Sequence, residues 1–167
     1  MPDYLEKFEK MRVAGNLAAR TLDMLTDNIK PGVTTEFIDK LGYEFIRDNG
    51  AYSAPLFYRG FKKSLCTSLN HVVCHGIPSD RILVEGDALN VDVTAIVDEH
   101  YGDTSRMFCV GKTPVKVNNL IDTTYESMMR AINLLKPGLK LVTLVMKYNL
   151  LLKKKATLLL EIFVVTE

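Results

Sequence analysis

The sequence predicts an α+β fold, and three observations predict it. Helical apolar spacing fills residues 3–25 and resumes after residue 34. Strict two-residue alternation runs from Ala88 to Val97 and returns after a short turn. Helical spacing then comes back from Val117 onward. Helices and strands therefore come in blocks, unlike the regular strand–helix alternation of a parallel α/β sheet.

The first helix rests on Leu5, Phe8, Met11, Ala14, Leu17, Ala18, Leu22 and Leu25, which recur every three or four positions. Ile29-Lys30-Pro31-Gly32 ends it, because proline cannot continue a helix and glycine favours its exit. Thr34 or Thr35 can cap a second helix whose apolar face is Phe37, Ile38, Leu41 and Phe45, and Asn49-Gly50 closes it. Residues 51–78 hold short β-prone pieces broken by Pro55, Gly60, Gly76 and Pro78. In the strand at 88–97, Leu89, Val91, Val93 and Ala95 share one face, and Asn90, Asp92 and Thr94 share the other. A turn at 98–102 leads to a returning strand at 103–110. A third helix follows on Val117, Leu120, Ile121, Thr124, Met128, Ala131 and Leu135. It stops at Lys136-Pro137-Gly138, repeating the Lys30-Pro31-Gly32 stop of the first helix, a sign of an internal repeat.

The length, 167 residues, suits one domain of roughly 150 residues. Hydrophobic residues at 47% and charged residues at 25% are ordinary for a globular chain and exclude a collagen or a disordered acidic chain. Lys and Arg number 21 against 20 Asp and Glu, so no basic footprint for nucleic acid is implied. Cys66, Cys74 and Cys109 form no CxxC pair and read as reduced thiols, with Cys66 and Cys74 as small core residues. The charged N-terminus does not read as a signal peptide, and no uncharged apolar run reaches the ~18 residues of a membrane span. The expected setting is cytoplasmic, without membrane or nucleic-acid binding.

Chemistry concentrates in three places. Asp92 and Asp103 flank one hairpin turn and should lie within a residue or two of facing each other. Like charges across strands are unfavourable, so either a divalent cation sits between them or both are solvated near a loop. Carboxylate oxygens suit Mn, Fe, Co, Mg or Zn alike. His75, followed by Gly76 and Pro78, lies at a sharp turn that either presents an imidazole for proton transfer or is an ordinary loop. His71 and His100 read as exposed. Tyr58 and Phe61, around Arg59-Gly60, either wall an apolar pocket or pack as ordinary aromatics. No GxGxxG, GxxxxGK[ST] or GxSxG motif is present.

Five segments, in order and in register, carry a resemblance. They are Lys10 to Gly15, Lys30 to Thr35, Val72 to Pro78, Gly86 to Thr94 and Gly102 to Phe108. Over residues 6 to about 141 the chain closely resembles the type I bacterial methionine aminopeptidases. The resemblance implies the pita-bread (creatinase/aminopeptidase) α+β fold of two pseudo-symmetric halves, with the C-terminal half incomplete in this chain. It implies a monomer that removes the initiator methionine from nascent proteins, its substrate being their N-terminal peptide. Two divalent ions (Co, Mn, Fe or Zn) would be the cofactors. Asp92 and Asp103 match the family's two aspartate ligands. His75 matches its substrate-contacting catalytic histidine, Tyr58 a methionine-pocket aromatic, and Phe61 a position where tyrosine is common. Pro55 stands where the family has a small or thiol-bearing pocket residue. The family's ligand histidine and two ligand glutamates have no match in these residues, and Glu161 and Glu167 fit no family motif. The chain as given is therefore expected to be inactive, with metal binding in doubt; the alternative is a non-catalytic half-fold acting at most as a binding module.

Residues 1–141 read as the family's N-terminal part, and 142–167 as an aberrant tail. The tail is rich in leucine and valine around Lys153-Lys154-Lys155, with neither helical nor strand periodicity. A membrane-surface segment is poorly matched, since no polar face is organised. The genetic code offers another account. Permitted codons for Val142 to Glu167, read in the frame that joins each third base to the next two, spell GDIGNEIQFITKKKSYSVVRDFCGHG. Its end resembles the family's ligand-histidine segment, so one nucleotide is expected to be missing near codon 141.

Overall fold

The structure, a computed structural model, describes residues 2–140 and 142–146, in two compact units, Met1–Thr113 and Pro114–Glu167. The tail expected to be aberrant lies almost wholly outside the described residues.

In the first unit, helix α1 spans Pro2–Leu25 and ends in a 3₁₀ turn at Thr26–Asn28; α2 spans Thr35–Asp48. Strands β1 (Tyr52–Ser53), β2 (Cys66–Leu69), β3 (Ala88–Val97) and β4 (His100–Cys109) form one antiparallel sheet. The long strand β3 is its spine. It pairs with β1 and β2 along one edge and with β4 along the other.

The alternation read from the sequence sorts the two faces of β3. Leu89, Val91, Val93 and Ala95 are fully buried and meet the apolar stripe of α1, built by Leu17, Ala18, Leu22 and Leu25. The α1 stripe starts later than its spacing suggests. Tyr4, Leu5, Phe8 and Met11 are all more than half exposed, because close packing on the sheet begins only at Ala14. There Gly102 of β4 touches the helix backbone. A Cβ at Gly102 would lie 2.1 Å from the carbonyl carbon of Ala14 and 2.2 Å from the nitrogen of Gly15.

Thr34 caps α2, its hydroxyl accepting the Phe37 N–H at 3.1 Å. The buried stripe of α2 is Thr35, Ile38, Asp39, Gly42 and Ile46, and not the all-apolar face expected, since Phe37 is exposed. The buried Asp39 carboxylate accepts the N–H groups of Ser64 and Leu65, both at 2.8 Å, and the Ser64 hydroxyl at 2.7 Å. A buried carboxylate satisfied this way ties α2 to the start of β2.

The hairpin is tighter than expected. Asp98 and Glu99, both at positive φ, make the two-residue turn, and pairing begins at Val97 with His100. Cys66 is buried, but Cys74 is exposed on the loop after β2 and is not a core residue.

The second unit contains α3, Val115–Ile132, starting and ending a little before its expected bounds. The two Lys-Pro-Gly stops fold alike. Lys30 O accepts Val33 N–H at 3.3 Å and Lys136 O accepts Leu139 N–H at 3.1 Å, with Gly32 at φ +91° and Gly138 at φ +83°. Proline at the second position and a positive-φ glycine at the third define a type II turn.

Two glycines on either side of one contact should respond oppositely. Gly102→Ala is expected to destabilise the chain at the upper end of the ~1–3 kcal/mol typical of overpacking, because backbone must move. Gly15→Ala has open space for its Cβ and should stabilise by about 0.5–1 kcal/mol as a helix-interior glycine is removed. Urea unfolding of both variants checks this pair.

Candidate metal and catalytic site

The polar face of the sheet collects the predicted residues. On β3, Asn90, Asp92 and Thr94 point away from the core, and the register sets Asp92 opposite Ser105 and Thr94 opposite Asp103. Asp92 and Asp103 are thus diagonal neighbours on one face, as their spacing around the turn implies. The Thr94 hydroxyl donates to Asp103 Oδ1 at 2.9 Å and holds that carboxylate in place. On the far side of β3, Cys66 stands opposite Asp92, completing a row across three strands.

Electrostatics mark this row. The Asp92 carboxyl is raised above its ordinary 3.8, first by burial and then by the charge of Asp103; the nearby His75 pulls in the opposite direction. The Cys66 thiol is pushed up to about 11, by burial first and by Asp92 next. Each shift reports a low-dielectric pocket with excess negative charge, which a divalent cation would relieve. The carboxylate donors fit a hard or borderline divalent ion. Among the described residues no group of three or more His, Cys, Asp and Glu gathers to hold one.

His75 is placed by its neighbour. Gly76 lies against the backbone of β2, where a Cβ would come within 2.2 Å of Thr67 O. Gly76 O accepts Thr67 N–H at 2.8 Å, and Gly76 N–H donates to the Ser68 hydroxyl at 3.1 Å. His75 itself takes φ +53°, an uncommon conformation for a side-chain-bearing residue, maintained by this clamp. The loop's other end is held by Asn70, whose side chain donates to Asp87 at 2.8 Å and accepts from Ala88 N–H at 3.0 Å. The Ser68–Gly76 clamp was not expected from the sequence. Its only local sign was Gly76, and the partner lies eight residues away.

Tyr58 and Phe61 share one turn, Phe61 N–H donating to Tyr58 O at 2.9 Å. Tyr58 is exposed, with the Arg59 guanidinium 5.3 Å from its ring centre. Pro55 opens the 3₁₀ turn Ala54–Phe57 before them, and its carbonyl accepts Tyr58 N–H at 3.0 Å. Among the described residues no hydrogen bond or ring contact joins either aromatic to Asp92, Asp103 or His75. No described helix is long and apolar enough to cross a membrane.

Comparison with known proteins decides the family. The model of metallopeptidase family M24 matches residues 9–160. The chain belongs to that family. It is 55% identical over 134 residues to a methionine aminopeptidase of Rickettsia prowazekii, covering 80% of this chain and 52% of that protein. With the methionine aminopeptidase of Escherichia coli K12 the identity is 48% over 138 residues, 81% of this chain and 52% of that protein. The crystal structure of the Rickettsia prowazekii methionine aminopeptidase superposes with a TM-score of 0.88 at 50% identity, over 89% of this chain and 60% of that one. A prolidase from Pyrococcus furiosus, at TM-score 0.78 and 21% identity, shares the fold alone. The chain spans about half the length of the curated relatives it matches. The resemblance to bacterial methionine aminopeptidases and the pita-bread fold are both borne out.

One consequence concerns the unmetallated chain. The folded Asp92 carboxyl binds its proton more tightly than the unfolded one. Its ionisation therefore opposes folding as pH rises above 3.8, and below that value the opposition is gone. Asp92→Asn removes this charge. In chelator it should raise the melting temperature at pH 7, with the gain shrinking as pH falls toward 3.8. Calorimetry across that range checks it.

Proposed function

We propose that these residues form the first half of a methionine aminopeptidase, a cytoplasmic, monomeric enzyme that removes the initiator methionine from nascent proteins. The observation that carries the reading is the diagonal Asp92–Asp103 pair on one polar face, with His75 within electrostatic reach of Asp92, in a chain of a metallopeptidase family.

Asp92 and Asp103 would hold two divalent ions, with Thr94 fixing the Asp103 carboxylate. When bound, the ions lower the pKa of water and polarise the scissile carbonyl. His75 would donate a hydrogen bond to the substrate amide and favour charge developing in the transition state. Tyr58 and Phe61 would wall the methionine side chain, with Pro55 stiffening the turn that carries them. The family resemblance supplies the two aromatic roles; the clamp at Gly76 supports a fixed His75.

The same reading divides the chain near residue 141. Supporting this are the pairwise matches, 134 and 138 residues long, and the loss of periodicity beyond Leu141. The family model runs on to residue 160, so the nucleotide sequence across codons 139 to 167 decides between continuous family sequence and one lost base. A metal site's affinity rests on a complete ligand set, and two carboxylates are too few. The 167 residues alone are therefore expected to release no methionine from a Met-Ala peptide, even with added Co or Mn. Turnover by them that Asp103→Asn abolished would overturn that expectation.

With the alternative frame restored and the remaining ligands encoded, Asp92→Asn or Asp103→Asn should lose metal and activity together. His75→Ala should keep its metal and lose about 10²–10³ in rate, the usual worth of one such donor. Elemental analysis beside peptide turnover separates the two. Loss of metal in His75→Ala with the fold intact would refute this division of roles.

A further inference from the structure

The sheet ends differently on the two sides of β3. On one side its partners are short, two residues in β1 and four in β2. On the other lies β4, ten residues long, and among the described residues it pairs with β3 alone. That pairing runs residue for residue from His100 to Cys109 without a bulge, and the strand holds neither proline nor lysine. Shortness, proline, lysine and bulges are the usual guards of an exposed edge, and β4 has none of these. In a hairpin with a two-residue turn the flanking pair, here Val97 and His100, is hydrogen-bonded, and bonded pairs then alternate along the ladder. The backbone N–H and C=O groups of Tyr101, Asp103, Ser105 and Met107 therefore point outward, away from β3.

Helix α1 extends the same flank. Gly102 seats it under β4, and α2 lies on its other side, where the Arg20 guanidinium stands 5.5 Å from the Phe45 ring centre and donates to Asn49 Oδ1 at 3.2 Å. The helical count turns Tyr4, Phe8, Met11 and Gly15 to the side opposite Arg20. The three large side chains are more than half exposed, and Gly15 has open space where a Cβ would stand. The outward edge of β4 and this apolar row of α1 thus face one way. The strand is also complementary to itself. Turned about a two-fold axis through Thr104, a second β4 sets Tyr101 opposite Met107, Asp103 opposite Ser105 and Gly102 opposite Arg106. A ring meets a thioether, a hydroxyl can donate to a carboxylate, and no like charges stand directly opposite. An axis through Asp103 would set that carboxylate against itself.

We propose that a second copy of this chain docks here, β4 pairing antiparallel with β4 about Thr104 into one continuous sheet, with the two α1 helices side by side beneath it. The outward N–H and C=O groups of each strand then satisfy those of the other. A lone extended peptide would pair with the strand and leave the α1 row uncovered, whereas a second copy brings both a strand and a helix. The pairing also uses up the long edge and leaves only the short β1 and β2 outside, so assembly closes at two. One interaction opposes it. The two Asp103 carboxylates become diagonal neighbours across the new pair, as Asp92 and Asp103 already are within one copy. The interface does not depend on the proposed peptidase activity.

The experiment is sedimentation velocity of the full 167-residue chain in chelator, from about 5 to about 300 μM, with amide hydrogen exchange at both ends of that range. The expected result is a reversible monomer–dimer equilibrium, with exchange over residues 101–107 slowed at the high concentration only. Ser105→Pro removes an outward donor but no bond to β3, and should weaken the dimer about tenfold or more while the monomer keeps its circular dichroism. Tyr101→Glu, at an exposed position, sets a carboxylate against the Met107 thioether of the second copy and should weaken it about fivefold. Asp103→Asn removes the diagonal repulsion and should tighten it about two- to fivefold. A monomer across the whole range would overturn the proposal. So would residues 101–107 protected equally at both concentrations, which would mean that another segment of the same chain covers the edge. Open-ended assemblies, or a dimer indifferent to both Ser105→Pro and Tyr101→Glu, would overturn it as well.

Discussion

The contact on which the rest of the structure depends is the one between Gly102 and the backbone of α1 at Ala14 and Gly15. No side chain intervenes there, so the helix lies closer to β4 than any residue but glycine allows. That contact sets how deeply Leu17, Leu22 and Leu25 reach into the sheet, and hence how Val91 and Val93 are covered. It also fixes the next residue. Asp103 follows Gly102 directly, and strand alternation turns it to the opposite face. The helix pressed on one side of β4 thus determines the height at which a carboxylate stands on the other.

A second close approach does the same for His75. Gly76 touches the Thr67–Ser68 backbone of β2, and β2 pairs with β3 where β3 carries Asp92. Two glycine contacts, one through α1 and one through the loop after β2, therefore position Asp103 on the sheet and His75 on the loop beside it. The electrostatic consequence is a carboxyl at Asp92 that resists ionisation, because burial and a like charge act together. Proteins tolerate such an arrangement when a bound cation or a catalytic role requires it.

Much of this was legible in the sequence. The period-two pattern at 88–97 assigned the faces of β3 residue by residue, and the spacing of Asp92 and Asp103 around a short turn placed them together. Thr94 shared that face by the same count. The Lys-Pro-Gly repeats were visible as stops and proved to be the same turn. What the sequence did not show was long-range. The overhang of α1 depends on where the sheet begins beneath it, which no helical periodicity contains. The buried Asp39 broke the apolar stripe of α2 because its partners, Ser64 and Leu65, lie 25 and 26 residues on. The exposure of Cys74 follows from the clamp of Gly76 on β2, a contact with no local pattern.

The division of labour between the faces of one strand explains why fold and chemistry separate in this chain. Val91 and Val93 are fully buried whatever stands at residues 92 and 103, since alternate residues see opposite sides of the sheet. The core of the first unit therefore closes on its own residues, from Leu22 through Leu65 to Val110. It keeps Asp92 and Asp103 in register without help from a metal. A cation held there would complete the site electrostatically rather than build it. Were Asp92 and Asp103 metal ligands as proposed, these residues could hold both correctly placed and still bind a cation too weakly for chemistry, because geometry would come from the core face and affinity from the number of donors.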